Sequence, residues 1–121
     1  EKSVKFEGWV QDLSSYFKTA DVYLLTSDYE GYGMTLIQSA VCGCPIVTTD
    51  VGVVGEAINK ENSIVVDIGD KEGVISALER MILSEDLRKN LSENAKKSID
   101  YLGTEEDYLK DYKKSWEDAV L

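Results

Sequence analysis

One stretch, TSDYEGYGMTLIQSAVCGCP from Thr26 to Pro45, limits what this chain can fold into more than any other. The apolar run Val22-Tyr23-Leu24-Leu25 before it is short, unbroken and partly β-branched or aromatic, which is the pattern of a buried strand. Thr26-Ser27-Asp28 are turn and cap residues that end it. Gly31 and Gly33 follow, and then a run with Met34, Ile37 and Val41 at helical spacing. Cys42-Gly43 stops that helix and Pro45 opens the next strand. The stretch is therefore strand, glycine loop, helix, turn, strand. In a parallel α/β sheet such a loop lies at the carboxyl ends of the strands, where these folds bind ligands.

The chemistry of such a loop is anion binding. A helix that starts at Gly33 presents free backbone N–H groups and the positive end of its dipole. Gly31 and Gly33 carry no Cβ, so a phosphate or a sugar can approach the backbone. Glu30 stands just before them with a carboxylate that accepts hydrogen bonds from sugar hydroxyls. Gln38, on the second turn of the helix, is placed to point towards the loop. From spacing alone the loop reads equally well as a plain turn with Glu30 as a solvated residue, because a short glycine loop is a weak signal.

The rest of the chain alternates in the same manner. Val4-Phe6 reads as a short strand, Asp12 to Thr19 as a helix with Leu13, Tyr16 and Phe17 inward, and Val22-Thr26 as a strand. Ile46-Thr49 and Ile64-Asp67 are further strands, with a turn or short helix over Val53 to Ile58. The alternation marks a parallel α/β sheet. After Asp70, a cap residue, the pattern is wholly helical. Val74, Leu78, Met81 and Ile82 form one stripe. Ser84 caps a second helix with Leu87, Leu91 and Ala95 inward, and Gly103 stops it. Thr104 caps a last helix carrying Leu109, Tyr112, Trp116 and Ala119 on one face. A Rossmann-like part over about residues 1–69 and a helical tail over about 70–121 make one partial domain, and the abrupt start at a strand edge reads as a cut piece.

Charge and composition exclude several classes. A net charge of −10 argues against nucleic acid or an anionic membrane surface as a partner. No run reaches the roughly 20 apolar residues that a membrane span needs, and the start carries no signal-peptide pattern. Two cysteines without a histidine leave no zinc set. Cys42 and Cys44 flank a helix stop, and read as reduced structural thiols of a cytosolic protein. No Lys or Arg occurs from Thr19 through Asn59. A diphosphate at the loop would meet only backbone N–H groups and a dipole here, and would need its cation from elsewhere. Tyr29 and Tyr32 cover the core or stack on a ligand; Trp9 packs in the core or at its rim; Asp50 and Glu56 take turn and cap roles.

The segment EGYGMTLIQSAVCGCPIVTTDVG resembles the donor-site segment of the retaining glycosyltransferases with the GT-B fold, group 1 or family 4-like. Glu30, Gly31, Gly33, Ala40, Gly43 and Pro45 match in order and spacing, and Phe6, Gly8, Ala20, Asp21, Asp50, Gly52 and Glu56 extend the likeness over nearly the whole chain. Gln38 departs from it, standing where that family has a second glutamate, and Val53 and Gly55 stand where it often has Gly and Pro. The resemblance implies a Rossmann-like, C-terminal donor domain with strand order 3-2-1-4-5-6, of which this chain holds the third to sixth strands. It implies transfer of a sugar from a nucleoside diphosphate donor, of UDP or GDP type, to a hydroxyl with retention, in glycan or polysaccharide biosynthesis, and no obligatory cofactor or metal. By position, Glu30 binds sugar hydroxyls as the catalytic contact. The backbone of Gly31, Gly33, Met34 and Thr35 meets sugar and phosphates, and Gln38 replaces the residue that holds the ribose. The sugar or lipid-linked acceptor would come through an N-terminal domain absent here, with the enzyme cytoplasmic or peripheral at the inner membrane face. A catalytically silent sugar-nucleotide module and a flavodoxin-like phosphate-binding regulator stay open beside it. Missing strands leave Val22-Thr26 at an edge, so the chain is expected either to lay Val4-Phe6 beside it or to self-associate there.

Overall fold

The computed structural model describes residues 3–120, so the outermost residues of the expected 1–121 domain lie outside the described ones. Three strands, β1 (Tyr23–Leu25), β2 (Ile46–Thr49) and β3 (Ile64–Val66), form one parallel sheet in the order β1-β2-β3. Tyr23 pairs with Ile46, and Val47 with Ile64, so β2 is bonded along both edges. All four of its residues are buried. A parallel strand covered on both faces loses the apolar-polar alternation of a half-exposed one, and IVTT is such a run.

Helix α1 (Leu13–Thr19) precedes the sheet, and α2 (Met34–Cys42) crosses from β1 to β2. Helices α3 (Lys71–Leu83) and α4 (Glu85–Ser98) follow β3, and a 3-10 turn over Asp100–Leu102 leads to α5 (Glu105–Ala119). Alternate residues of β2 serve opposite faces of the sheet. Ile46 packs with Leu36, Ile37 and Ala40 of α2 and Ala95 of α4, while Val47 packs with Ala77 and Met81 of α3 and Leu91 of α4. Helix α4 thus reaches both core layers, which closes the domain around β2.

Each helix start is written in its cap. Asp12, Asp70, Ser84 and Thr104 each accept a backbone N–H from the first turn of α1, α3, α4 and α5. The carboxyl of Asp12, bonded by the Ser15 and Ser14 hydroxyls and the Ser15 backbone, is pulled down to about 2. At the far end of α2, Gly43 adopts φ 74° and its carbonyl accepts the Ser92 hydroxyl at 2.7 Å. This ties the tail of α2 to α4.

The structure corrects several expectations. Val4-Phe6 forms no strand and lies beside no strand: a strand exists only against a partner, and Phe6 is 94% exposed. Trp9 is also exposed rather than packed, and so is Tyr16. In α2 the helical period holds but its phase differs. Sheet and α4 bury Leu36, Ile37, Ser39 and Ala40, and leave Met34 and Val41 outside. In α3 the buried stripe passes through Ala77 and Met81, and Ile82 faces out. Over residues 53–58, of the turn or short helix expected, the structure has turns joined by a bridge from Val54 to Ile58. Helix α5 buries none of its residues; along its surface Tyr108 stacks on Tyr112, and Tyr112 meets Trp116 at a tilt.

With Val4-Phe6 elsewhere, one edge of β1 is unpaired among the described residues. Such an edge templates pairing with another chain. Sedimentation of the 121-residue chain should therefore show mass rising with concentration, and Leu24→Lys, a charge on the half-exposed strand, should return it to monomer. A wild-type chain that stays monomeric at every concentration would show that the edge is protected.

Candidate functional site

The glycine loop lies where β1 delivers it, at the carboxyl ends of the strands. Its conformation is set by Gly33, which takes φ 84° and ψ 50°, the left-handed region that a side chain disfavours. Helix α2 starts directly after it, with no side-chain cap and no acidic residue in its first turn. Its leading N–H groups are left free of any side-chain acceptor, and with the dipole they favour an anion. Thr35, in that first turn, accepts the Tyr23 hydroxyl at 2.8 Å, which fixes the helix start against β1. Burial raises the Tyr23 phenol above its ordinary value, so it remains a donor. Gly31 has open space where a Cβ would be, consistent with a free approach to the backbone.

Glu30 is half-buried, and its Oε1 accepts the Ser27 hydroxyl at 2.7 Å. The Ser27 carbonyl in turn accepts the hydroxyl of Thr49, the buried last residue of β2, at 2.6 Å. A second segment closes on the loop from the other side. The Val53 N–H donates to the Tyr32 carbonyl at 2.7 Å. Gly52, at φ 58°, makes this approach feasible: a Cβ there would stand 2.5 Å from the Tyr32 carbonyl oxygen and 3.2 Å from Glu30 Cβ. The DVG turn therefore acts as a brace for the loop.

Of the expected site residues, Glu30, Gly31, Gly33, Met34 and Thr35 form one continuous loop and helix start. Gln38 is placed differently. It lies on the exposed face of α2 and lines a groove of about 340 Å3 shared with α1, beside Gln11, Asp12, Phe17 and Cys42. No residue from 26 to 33 lines that groove. A larger cavity of about 410 Å3 opens at the strand ends between Thr26, Asp28, Thr49 and Asp67, and is bordered by Lys71 at the start of α3. It adjoins the loop through Asp28 without including Glu30. Lys71 is a cation that the 19–59 gap in basic residues concealed; its position is set by strand β3 and leaves no local trace in the motif.

Tyr29 is 84% exposed and Tyr32 is partly so, so neither covers the core. The thiols of Cys42 and Cys44 are both free, and burial pushes Cys44 up to about 11. No metal-binding cluster of His, Cys, Asp and Glu occurs among the described residues. Among them too, no helix is long and apolar enough to cross a membrane.

The brace is testable. Gly52→Ala forces a left-handed backbone on alanine and a methyl onto the Tyr32 carbonyl, so it should destabilise the fold by about 1–3 kcal/mol in urea melts. Wild-type stability in that variant would mean that the two segments can part at no cost.

Comparison with known proteins agrees with this geometry. The model of the family "Glycosyl transferases group 1" matches residues 1–98. The lipopolysaccharide core biosynthesis glycosyltransferase LpsE of Rhizobium meliloti is 32% identical over 97 residues, 79% of this chain and 28% of its own length. The N-acetyl-alpha-D-glucosaminyl L-malate synthase of Bacillus anthracis is 29% identical over 100 residues, 82% of this chain and 26% of its own. This chain therefore spans little more than a quarter of either relative. Among solved structures, the C-terminal domain of the group 1 glycosyl transferase LpcC from Francisella tularensis aligns with a TM-score of 0.69 at 21% identity, covering 79% of this chain and 50% of that one. Sucrose-phosphate synthase from Thermosynechococcus elongatus aligns with a TM-score of 0.75 at 22% identity, over 89% of this chain and 27% of that one. The fold is that of the C-terminal domain of GT-B glycosyltransferases, and the chain belongs to the group 1 glycosyl transferases.

Proposed function

We propose that this chain is the donor-binding part of an enzyme that moves a sugar from a nucleoside diphosphate sugar, of UDP or GDP type, to a hydroxyl acceptor with retention of configuration. The observation that carries the reading is the half-buried carboxylate of Glu30, held at the uncapped start of α2. An acceptor of sugar hydroxyls and a donor of N–H groups to phosphate then lie side by side on one loop. Relatives named for lipopolysaccharide core, capsular polysaccharide and amylovoran biosynthesis support a role in glycan assembly. The Rossmann-like part spans about residues 1–69 and the helical tail about 70–121. The acceptor, a sugar or a lipid-linked glycan, enters through an N-terminal domain, in the cytoplasm or at the inner membrane face.

In the transfer, the bond from the anomeric carbon to the diphosphate oxygen breaks, and a bond from that carbon to the acceptor oxygen forms on the same face. The acceptor proton passes to the departing diphosphate. Glu30 orients the sugar by accepting its hydroxyls and does not attack the anomeric carbon. The backbone of Gly31, Gly33, Met34 and Thr35 receives sugar and phosphate oxygens and stabilises the charge that grows on the leaving group. The groove beside Gln38 takes the ribose, where the glutamine carbonyl accepts from a hydroxyl without the strength of a charged acceptor. That weaker acceptor favours a second reading, a silent sugar-nucleotide module, which assay of the full-length protein for sugar transfer decides.

In the full-length enzyme, Glu30→Gln should lower turnover by ~10²-fold or more, the scale for loss of a positioned electrostatic contact. Turnover at the wild-type rate would remove Glu30 from the site. Gln38→Glu should tighten donor binding by roughly 1 kcal/mol, the gain of a charged over a neutral acceptor. Calorimetry showing weaker binding would place another ligand in that groove.

A further inference from the structure

We propose that Ser27 is a positioning residue for the Glu30 carboxylate, a role that rests on Glu30 being the sugar contact. The Ser27 hydroxyl donates to Glu30 Oε1 at 2.7 Å, with both residues half-buried. Among the described residues no other side chain hydrogen-bonds Glu30. The serine is itself anchored, because its carbonyl accepts the hydroxyl of Thr49, which is 2% exposed at the end of β2. A line of two hydrogen bonds thus runs from the most enclosed strand of the sheet to the carboxylate.

The spacing of Ser27 and Glu30 is that of a capping box, in which such a pair serves a helix start. No helix starts here, since α2 begins only at Met34. The bond therefore caps nothing, and what it does is set the plane of the carboxylate. Ser27 occupies a lone pair of Oε1 and leaves Oε2 as the oxygen with no side-chain partner among the described residues, free to accept from a ligand. A charge-assisted hydrogen bond on a partly enclosed carboxylate also limits the rotamers of a flexible side chain, so less freedom is lost when the sugar binds.

The test uses the full-length protein with UDP-glucose and GDP-mannose as donor probes, and UDP and GDP as sugar-free controls. Ser27→Ala should weaken binding of the sugar nucleotide and lower turnover about 10-fold, the range for a lost hydrogen bond to a charged group. Affinity for the bare nucleotide should stay unchanged, and Ser27→Thr should restore the loss. In a Glu30→Gln background, Ser27→Ala should add little, because both changes remove one function. A ligand-free readout stands beside these. In glutamate-labelled protein, the side-chain NMR order parameter of Glu30 should fall in Ser27→Ala and recover in Ser27→Thr. An unchanged order parameter, an equal loss of bare-nucleotide affinity, or full additivity with Glu30→Gln overturns the positioning role. A neutral Ser27→Ala beside an impaired Glu30→Gln overturns it while leaving Glu30 as the sugar contact. A neutral Glu30→Gln overturns both.

Discussion

Strand β2 is bonded on both edges and buried on both faces, and each neighbouring part takes its place from it. Ile46 and Val47 point to opposite core layers, so one residue step along the strand decides which helix packs where. The same strand ends in Thr49, whose hydroxyl holds the Ser27 carbonyl and so the loop that carries Glu30. The turn that follows β2 brings Gly52 and Val53 against Tyr32. Core and candidate site are thus two ends of one strand. A slip of β2 by one residue would exchange the core faces and displace the loop together.

Much of this was legible in the sequence, because it depends on local chemistry. Ile46-Thr49 is strand to the residue, since an unbroken β-branched run between a proline and a turn has few alternatives. Asp70, Ser84 and Thr104 announced their helices, as cap preference is a property of a few adjacent residues. Gly33 and Gly43 marked the two ends of α2 for the same reason, through backbone angles that only the absence of a side chain makes easy. The family likeness, carried by Glu30, Gly31, Gly33, Ala40, Gly43 and Pro45, is matched by the group 1 family model over residues 1–98.

What the sequence did not show depends on contacts between distant residues. Met34, Ile37 and Val41 have the right period for α2, yet the phase of the buried arc is decided by where β2 and α4 lie. Gln38 shares the loop's helix, but its surroundings are made by α1, twenty or more residues earlier in the chain. Val4-Phe6 has strand composition and no strand, because composition does not supply a partner. Ser27 looked like a turn residue and Thr49 like the end of a strand. Only the fold joins them into a line to Glu30.

The start of α2 is the exception among the five α-helices of the described residues. The other four close their first turn with a side chain, whereas α2 relies on Gly33, a residue without one. A serine or aspartate cap is ordinarily worth only roughly a few tenths of a kcal/mol over glycine, and the left-handed backbone at Gly33 would cost a side chain about 1–2 kcal/mol. The N–H groups of Met34 and Thr35 meet no side-chain cap within the fold, and the left-handed turn at Gly33 precedes them. The open start is therefore built into the backbone, at a helix that begins, as α3 does, at the carboxyl ends of the strands. A variant selected for heat resistance alone would gain nothing by filling that cap, since a Cβ on Gly33 would sit on a left-handed backbone and meet Leu36 Cδ1 at 3.1 Å.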